Sequence, residues 1–203
     1  MYLGILNNLK FPCNTIEPDE PIKLHVFCDT SGKSYGTVAY LVTNEQATLL
    51  TSKDRVTPLK KQSLPQLELT TLLVGVRLGG LIDRALDLTK TLNNLHITET
   101  VVWSDKDAVL QWVRNDNKTP SVSNQVREIR ELSTEYKLRY VPTKEHPADY
   151  LSRGLTLRQL ARADMLFNGP HWLVSDQWLK QQPQVIVTND HCSHRDTSGT
   201  FGA

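Results

Sequence analysis

Cysteine is scarce in this chain of 203 residues. There are three, Cys13, Cys28 and Cys192, and none sits in a C-x-x-C pair. So odd and sparse a set gives no disulfide framework and points to a reducing compartment. An excess of one charge is also missing: 23 Lys+Arg stand against 22 Asp+Glu, a net charge of +1. This excludes a basic histone-like tail protein and an acidic solvating one, though not a local basic groove. No run approaches ~18 apolar residues, so no membrane span is expected. The N-terminal stretch MYLGILNNLKFPC is interrupted by Asn7, Asn8 and Lys10, and no small-residue cleavage site follows. A secretory signal is therefore not expected, and the location reads as intracellular. Without a secretory route, the sequon Asn117-Lys118-Thr119 stays unused. His191, Cys192 and His194 fit no zinc spacing and lie in a Ser/Thr/Gly-rich tail.

What is present is an ordinary globular composition, 39% hydrophobic and 22% charged. A chain of this length buries a core without staples. Residues 1–23 carry Pro12, Pro18 and Pro21 among acids and read as a linker. LHVFCDT (24–30), GTVAYLV (36–42) and ATLLTSK (47–53) read as strands joined by short turns, an antiparallel meander. The period then changes. Leu67, Leu69, Leu72, Leu73, Val76, Leu81 and Leu86 predict a long helix opening just after Pro65. Gly75, Gly79 and Gly80 weaken it by about 1 kcal/mol each relative to Ala, which close packing on a sheet would offset.

TVVWSD (100–105) predicts the next strand, and Ala108, Val109, Trp112 and Val113 one face of a helix beginning at Asp105 or Asp107. Residues 115–120 read as a turn, and Val122, Val126, Ile129 and Leu132 as a further helix. LRYVP (138–142) is a short strand stopped by its proline; residues 146–153 read as a short helix ended by Gly154. A meander followed by βαβ crossovers implies an α/β fold, a mixed sheet with flanking helices. Residues 155–180 read as a helical connector packing partly on the domain, and residues 181–203 as a disordered tail.

Four acids fall at matching places. Asp29 ends the first strand, Glu68 lies near the start of the long helix, Asp105 ends the fourth strand, and Asp149 is in the last short helix. The crevice at the carboxyl ends of strands is where α/β sheets bind ligands. Four carboxylates gathered there repel one another unless cations stand among them. Hard oxygen donors without His or Cys favour Mg²⁺ or Mn²⁺ over zinc. Two such ions about 3.5–4 Å apart suit in-line displacement at phosphorus. Each acid also admits a structural reading: a turn or helix cap for the two aspartates after strands, a dipole acid for Glu68, and an ion pair with Arg153 for Asp149. The four positions taken together are what favour the site.

The runs LHVFCDTSGKSYGTVAYL, SKDRVTPLKKQSLPQLEL, VVWSDKDAVLQWV and YVPTKEHPADYLSRG, followed by NGPHWL, resemble the ribonuclease H domain of BEL/Pao-type LTR retrotransposon polyproteins over roughly 24–173. The resemblance implies a ribonuclease H-like fold, a five-stranded mixed sheet with flanking helices, occupying residues 24–154. It implies a catalytic and metal-binding acid set mapping onto Asp29, Glu68, Asp105 and Asp149, with two Mg²⁺ ions for which Mn²⁺ can substitute. It implies hydrolysis of the RNA strand of RNA–DNA hybrids during reverse transcription, with reverse transcriptase and integrase regions of a parent polyprotein as partners. On this view residues 1–23 trail a reverse transcriptase, and the chain reads as a fragment of a polyprotein, a degraded insertion or a short reading frame. Many ribonucleases H carry a histidine upstream of the final aspartate, where this chain has Arg139-Tyr140; His146 is too close to Asp149 to inherit that role and reads as structural. Within the implied mechanism Asp29 bridges both ions, Asp105 and Glu68 complete the one near the leaving oxygen, and Asp149 the one near the attacking water.

Residues 24–154 carry a net charge of +2, or +6 without the four acids, so a metal-loaded domain turns a basic surface to a polyanion. Lys53, Arg55, Lys60 and Lys61 precede Glu68 and are candidates for phosphate contact, against the commoner fate of a solvated loop. Ser31 and Ser104 flank two acids and are candidates for backbone or 2′-hydroxyl contact. Trp103 and Trp112 read as core. Two rivals stand beside the nuclease. One is an inactive retroelement remnant that binds nucleic acid or another partner, which loss of an acid would have favoured. The other is an integrase-like transposase, which would lack the helix acid Glu68 and carry a late-helix Glu.

Overall fold

The structure, a computed structural model, describes residues 20–58, 62–93, 95–115 and 120–175. Five strands form one sheet: β1 (Ile22–Thr30), β2 (Ser34–Val42), β3 (Ala47–Val56), β4 (Ile97–Ser104) and β5 (Lys137–Tyr140). Their order is β3-β2-β1-β4-β5. The first three pair antiparallel, while β1–β4 and β4–β5 are parallel. This is the mixed sheet, meander then crossovers, that the sequence predicts. Around it lie α1 (Leu64–Asn93), α2 (Asp107–Arg114), α3 (Pro120–Leu132), a 3₁₀ turn at Thr143–Glu145, and α4 (Asp149–Arg153). Three short helices follow, α5 (Leu157–Leu160), α6 (Asp164–Asn168) and α7 (Trp172–Ser175).

β1 sits in mid-sheet and is apolar on both faces because both are covered. Its alternation sorts the core into two layers. Leu24, Val26 and Cys28 face α1, α2 and α3, meeting Leu69, Leu72, Val76, Val109, Val113, Val126 and Ile129. Phe27 points the other way, to Val38, Tyr40, Val101 and Trp103, and the segment after β5 closes this layer with Val141, Ala148, Ala163, Leu166 and Leu173. Phe27 and Trp103 stack with ring centroids 5.8 Å apart, and Trp172 packs edge-on to Trp103 at 5.0 Å. Residues 155–175 thus supply part of the second core layer.

Some elements depart from expectation. Pro120 opens α3 where a turn was read, in keeping with the tolerance of proline in a first helical turn. The helix predicted from 146 is split: His146 follows the 3₁₀ turn, and α4 begins only at Asp149. Leu81 is exposed and Ile82 buried, because Leu81 lies about 140° around the helix from Val76 at ~100° per residue. Leu132 at the end of α3 is also exposed. Cys13, Cys192, the sequon at 117–119, His191, His194, Lys60, Lys61 and residues 176–203 lie outside the described residues.

Gly75 explains how a glycine-weakened helix is worth keeping. A Cβ placed there would stand 2.1 Å from Cys28 Sγ, so α1 approaches β1 more closely than any side chain at this position allows. Gly75→Ala is expected to destabilise the fold by about 1–3 kcal/mol through overpacking. Urea unfolding checks this, and Cys28→Ala in the same chain should return much of the loss, because the two positions share one contact.

Candidate active site

The parallel pairing of β1 with β4 builds the site. Cys28 and Ser104 are register partners, so the residues that follow them, Asp29 and Asp105, emerge side by side where the two strands end. Neighbouring strands are ~4.8 Å apart, which makes these two aspartates neighbours by construction. Both are buried, Asp29 at 4% and Asp105 at 8% exposure. Glu68, the fifth residue of α1, reaches the same end of the sheet and feels the charges of Asp105 and Asp29. Asp149, first residue of α4, adds its charge to that felt by Asp29. The fold therefore brings all four predicted acids into one electrostatic neighbourhood.

The capping readings fail on geometry. The N-cap of α2 is Lys106, and no side chain caps it. The Asp105 carboxylate instead accepts from Lys106 Nζ at 2.7 Å and Thr143 Oγ1 at 2.9 Å. Glu68 lies beyond the first turn of α1. The Asp149–Arg153 ion pair does form, at 2.6 Å, on an exposed surface where such pairs contribute little. Asp29 accepts from the Ser152 hydroxyl.

Burial pushes the Asp29 carboxyl up to about 6, the Ser152 hydrogen bond works against this, and the charges of Asp105 and Asp149 push further in the same direction. Glu68 is raised by burial, with Asp105 and Asp29 adding and Lys106 opposing. Lys106 is held above its ordinary range: burial disfavours its charge, but the Asp105 hydrogen bond and the surrounding carboxylates outweigh that. His146 is fully buried, edge-on to Phe27 with ring centroids 5.6 Å apart. Burial lowers it to about 4 despite the nearby Asp105 and Asp149, so it is neutral at pH 7 and acts as a core residue.

Among the described residues, no three His, Cys, Asp or Glu side chains form a group that could hold a metal ion as they stand. The expected metal set is thus gathered but not closed, and the reason is physical. Three of the carboxylates already carry a protein donor: Ser152 on Asp29, Lys106 and Thr143 on Asp105, and Arg153 on Asp149. Like charges without a cation between them also stay apart. The donor chemistry, hard oxygens around a site where an ammonium already serves as counter-charge, nonetheless fits Mg²⁺ or Mn²⁺.

The candidate contact residues divide. Lys53 and Arg55 are exposed on the edge strand β3. Their rows run through Thr37 to Cys28 and through Tyr35 to Thr30, at the same sheet end as Asp29 and two strands, about 10 Å, from it. Ser31 and Ser104 are engaged inside the fold instead. Ser31 Oγ donates to the Ser152 carbonyl at 2.6 Å, and buried Ser104 accepts from the Lys106 amide at 3.2 Å. Sequence reasoning missed Ser152, Lys106 and Thr143. Ser152 was legible as the residue one helical turn beyond Asp149, and Lys106 as the neighbour of Asp105; nothing in the sequence marked Thr143.

Residues 6–106 match the family model of the Pao retrotransposon-like RNaseH-like domain, and the chain belongs to this family. The match includes Asp29, Glu68 and Asp105 and stops before Asp149. No curated protein matches the chain. Similar solved structures include the N-terminal RNase H domain of rv2228c from Mycobacterium tuberculosis, at 18% identity and a TM-score of 0.45, covering 70% of this chain and 96% of that one. RNase H1 from Halobacterium salinarum is 16% identical with a TM-score of 0.43, covering 64% and 93%. LC11-RNase H1 in complex with an RNA/DNA hybrid is 15% identical with a TM-score of 0.45, covering 68% and 99%.

The raised Asp29 has a consequence for stability. Its carboxyl binds a proton more tightly folded, at about 6, than at its ordinary 3.8. Stability in metal-free buffer therefore falls as pH rises from about 4 to about 6 and stays lowered above that. Asp29→Asn should be more stable than the unsubstituted chain near neutral pH by ~1–3 kcal/mol, with the difference gone below about pH 4. Urea melts at the two pH values check it.

Proposed function

We propose that this domain is a divalent-cation-dependent endonuclease that hydrolyses the RNA strand of RNA–DNA hybrids. The observation that supports the reading is that Asp29 and Asp105 follow register partners at the carboxyl end of the parallel β1–β4 pair, with Glu68 and Asp149 within electrostatic reach of Asp29 and Lys106 bound to Asp105. Membership of a retrotransposon family with a ribonuclease H-like domain supports it. Two divalent cations, when bound, supply the charge that activates a water and stabilises the leaving 3′ oxygen.

The chain's own residues do the rest. Asp29, the most buried of the four acids, would offer its carboxylate to both cations. Asp105 and Glu68 would help hold a cation serving the leaving oxygen, and Asp149 one serving the attacking water. Lys106 holds the Asp105 carboxylate at 2.7 Å and supplies the counter-charge that bound cations would share. Lys53 and Arg55 meet phosphates of the hybrid from the sheet edge.

The test is cleavage of a strand-labelled hybrid with Mg²⁺ or Mn²⁺. Cutting of the RNA strand alone is expected, lost on chelation and reduced on the order of 10²–10³-fold or more by Asp29→Asn or Glu68→Gln. Hybrid binding without cutting by a folded chain would instead favour a nucleic-acid-binding remnant. Replacing both Lys53 and Arg55 by Ala should weaken hybrid binding at all sequences and flatten its dependence on log salt by about 0.7–0.9 per residue, read from binding isotherms at several salt concentrations.

A further inference from the structure

Ser152 stands at a junction the proposed mechanism leaves unexplained. It is 1% exposed on a helix of five residues, too short to hold its place alone. Its hydroxyl donates to Asp29 Oδ2. Its carbonyl accepts from Ser31 Oγ at 2.6 Å and from Ser34 Oγ at 2.8 Å. Ser31 and Ser34 begin and end the turn that joins β1 to β2, and Ser31 Oγ also accepts the Ser34 amide at 3.2 Å. One residue of α4 is thus tied through both side chain and backbone to the hairpin that presents Asp29.

The hairpin is shaped to receive α4. Gly36, the register partner of Asp29, faces Leu151, and a Cβ placed on it would stand 2.8 Å from Leu151 Cβ. The glycine lets α4 lie against β2 closely enough for Ser152 to reach both the Asp29 carboxylate and the two serine hydroxyls.

We propose that Ser152 is a positioning residue: it clamps the helix carrying Asp149 to the β1–β2 hairpin, so that the first and fourth carboxylates are held in fixed relation. This rests on the nuclease reading above. Ser152 does not touch substrate; it sets where Asp149 stands. Misplacing a reacting group by ~1 Å costs on the order of 10²-fold in rate, and a five-residue helix released from its clamp has that freedom.

The full chain is used for the test, with Ser152→Ala and, separately, Ser31→Ala combined with Ser34→Ala at the half-exposed turn. Amide hydrogen exchange is followed at Leu151, Ser152 and Gly154, and cleavage of an RNA–DNA hybrid is measured in parallel. Exchange at these amides should accelerate about tenfold or more in both variants, while amides of β1 and α1 keep their protection. The kcat should fall by about 10- to 100-fold with KM little changed. Unchanged exchange overturns the proposal, whatever happens to turnover, because the hydroxyl then acts without positioning α4. Faster exchange with unchanged kcat overturns it as well. If the unsubstituted chain cuts no hybrid, the nuclease reading fails, and the exchange comparison still decides whether the clamp exists.

Discussion

The parallel register between β1 and β4 is the constraint on which the rest of the molecule depends. It sets Cys28 beside Ser104 and so delivers two aspartates to adjacent strand ends. A parallel pair needs a long crossover, and the chain supplies it with α1, whose close seat on β1 through Gly75 brings Glu68 to the same edge. A one-residue slip would reverse the faces of β4, sending Trp103 out of the aromatic layer and turning Asp105 away from Asp29. Core packing and acid placement are therefore enforced by the same pairing.

That arrangement stores an electrostatic cost. Burial disfavours ionisation of Asp29 and of half-buried Glu68, and the neighbouring carboxylates add to it, so both are shifted upward. The chain answers locally, with an ammonium from the residue after Asp105, a hydroxyl on Asp29 and a guanidinium on Asp149. These partners offset the cost of burial and repulsion only in part. Asp29 stays well above its ordinary value, and this residual cost favours any cation of higher charge density than an ammonium.

Much of this was legible in the sequence because strand ends and hydrophobic periods are local signals. LHVFCDT and TVVWSD each close an apolar run with an acid, and that alone located Asp29 and Asp105 on the sheet. Glu68 and Asp149 were legible only in combination, since an acid on a helix is ordinarily a surface residue. The partners of these acids were hidden for different reasons. Thr143 meets Asp105 across 38 positions of sequence and Ser152 meets Asp29 across 123, and no spacing rule reaches that far. Ser31 looked like a substrate contact because it sits beside Asp29; its hydroxyl is in fact turned to α4. Leu81 lies in the predicted helix but off its buried face, which a count of leucines alone does not reveal.

The segment after β5 shows why the fourth acid needs more chain than the sheet provides. α4 has five residues and closes at Gly154, with φ at +79°. A helix of that length gains too few internal hydrogen bonds to be stable by itself. It is fixed instead from outside: Ala148 just before it is buried against Phe27 and Trp103, and Leu166 and Leu173 from α6 and α7 fill the same layer. Tyr40 Oη donates to the Leu166 carbonyl at 2.7 Å, tying α6 back to the middle of the sheet. Trp172 packs on Trp103 and donates to Glu145 at 3.2 Å, bracing the turn that precedes α4. α6 and α7 thus complete the core layer that Ala148, at the start of the Asp149 helix, is buried in. The fourth acid therefore depends on a segment whose core layer is completed by chain well beyond β5, whereas the strand-borne acids are set by the sheet itself.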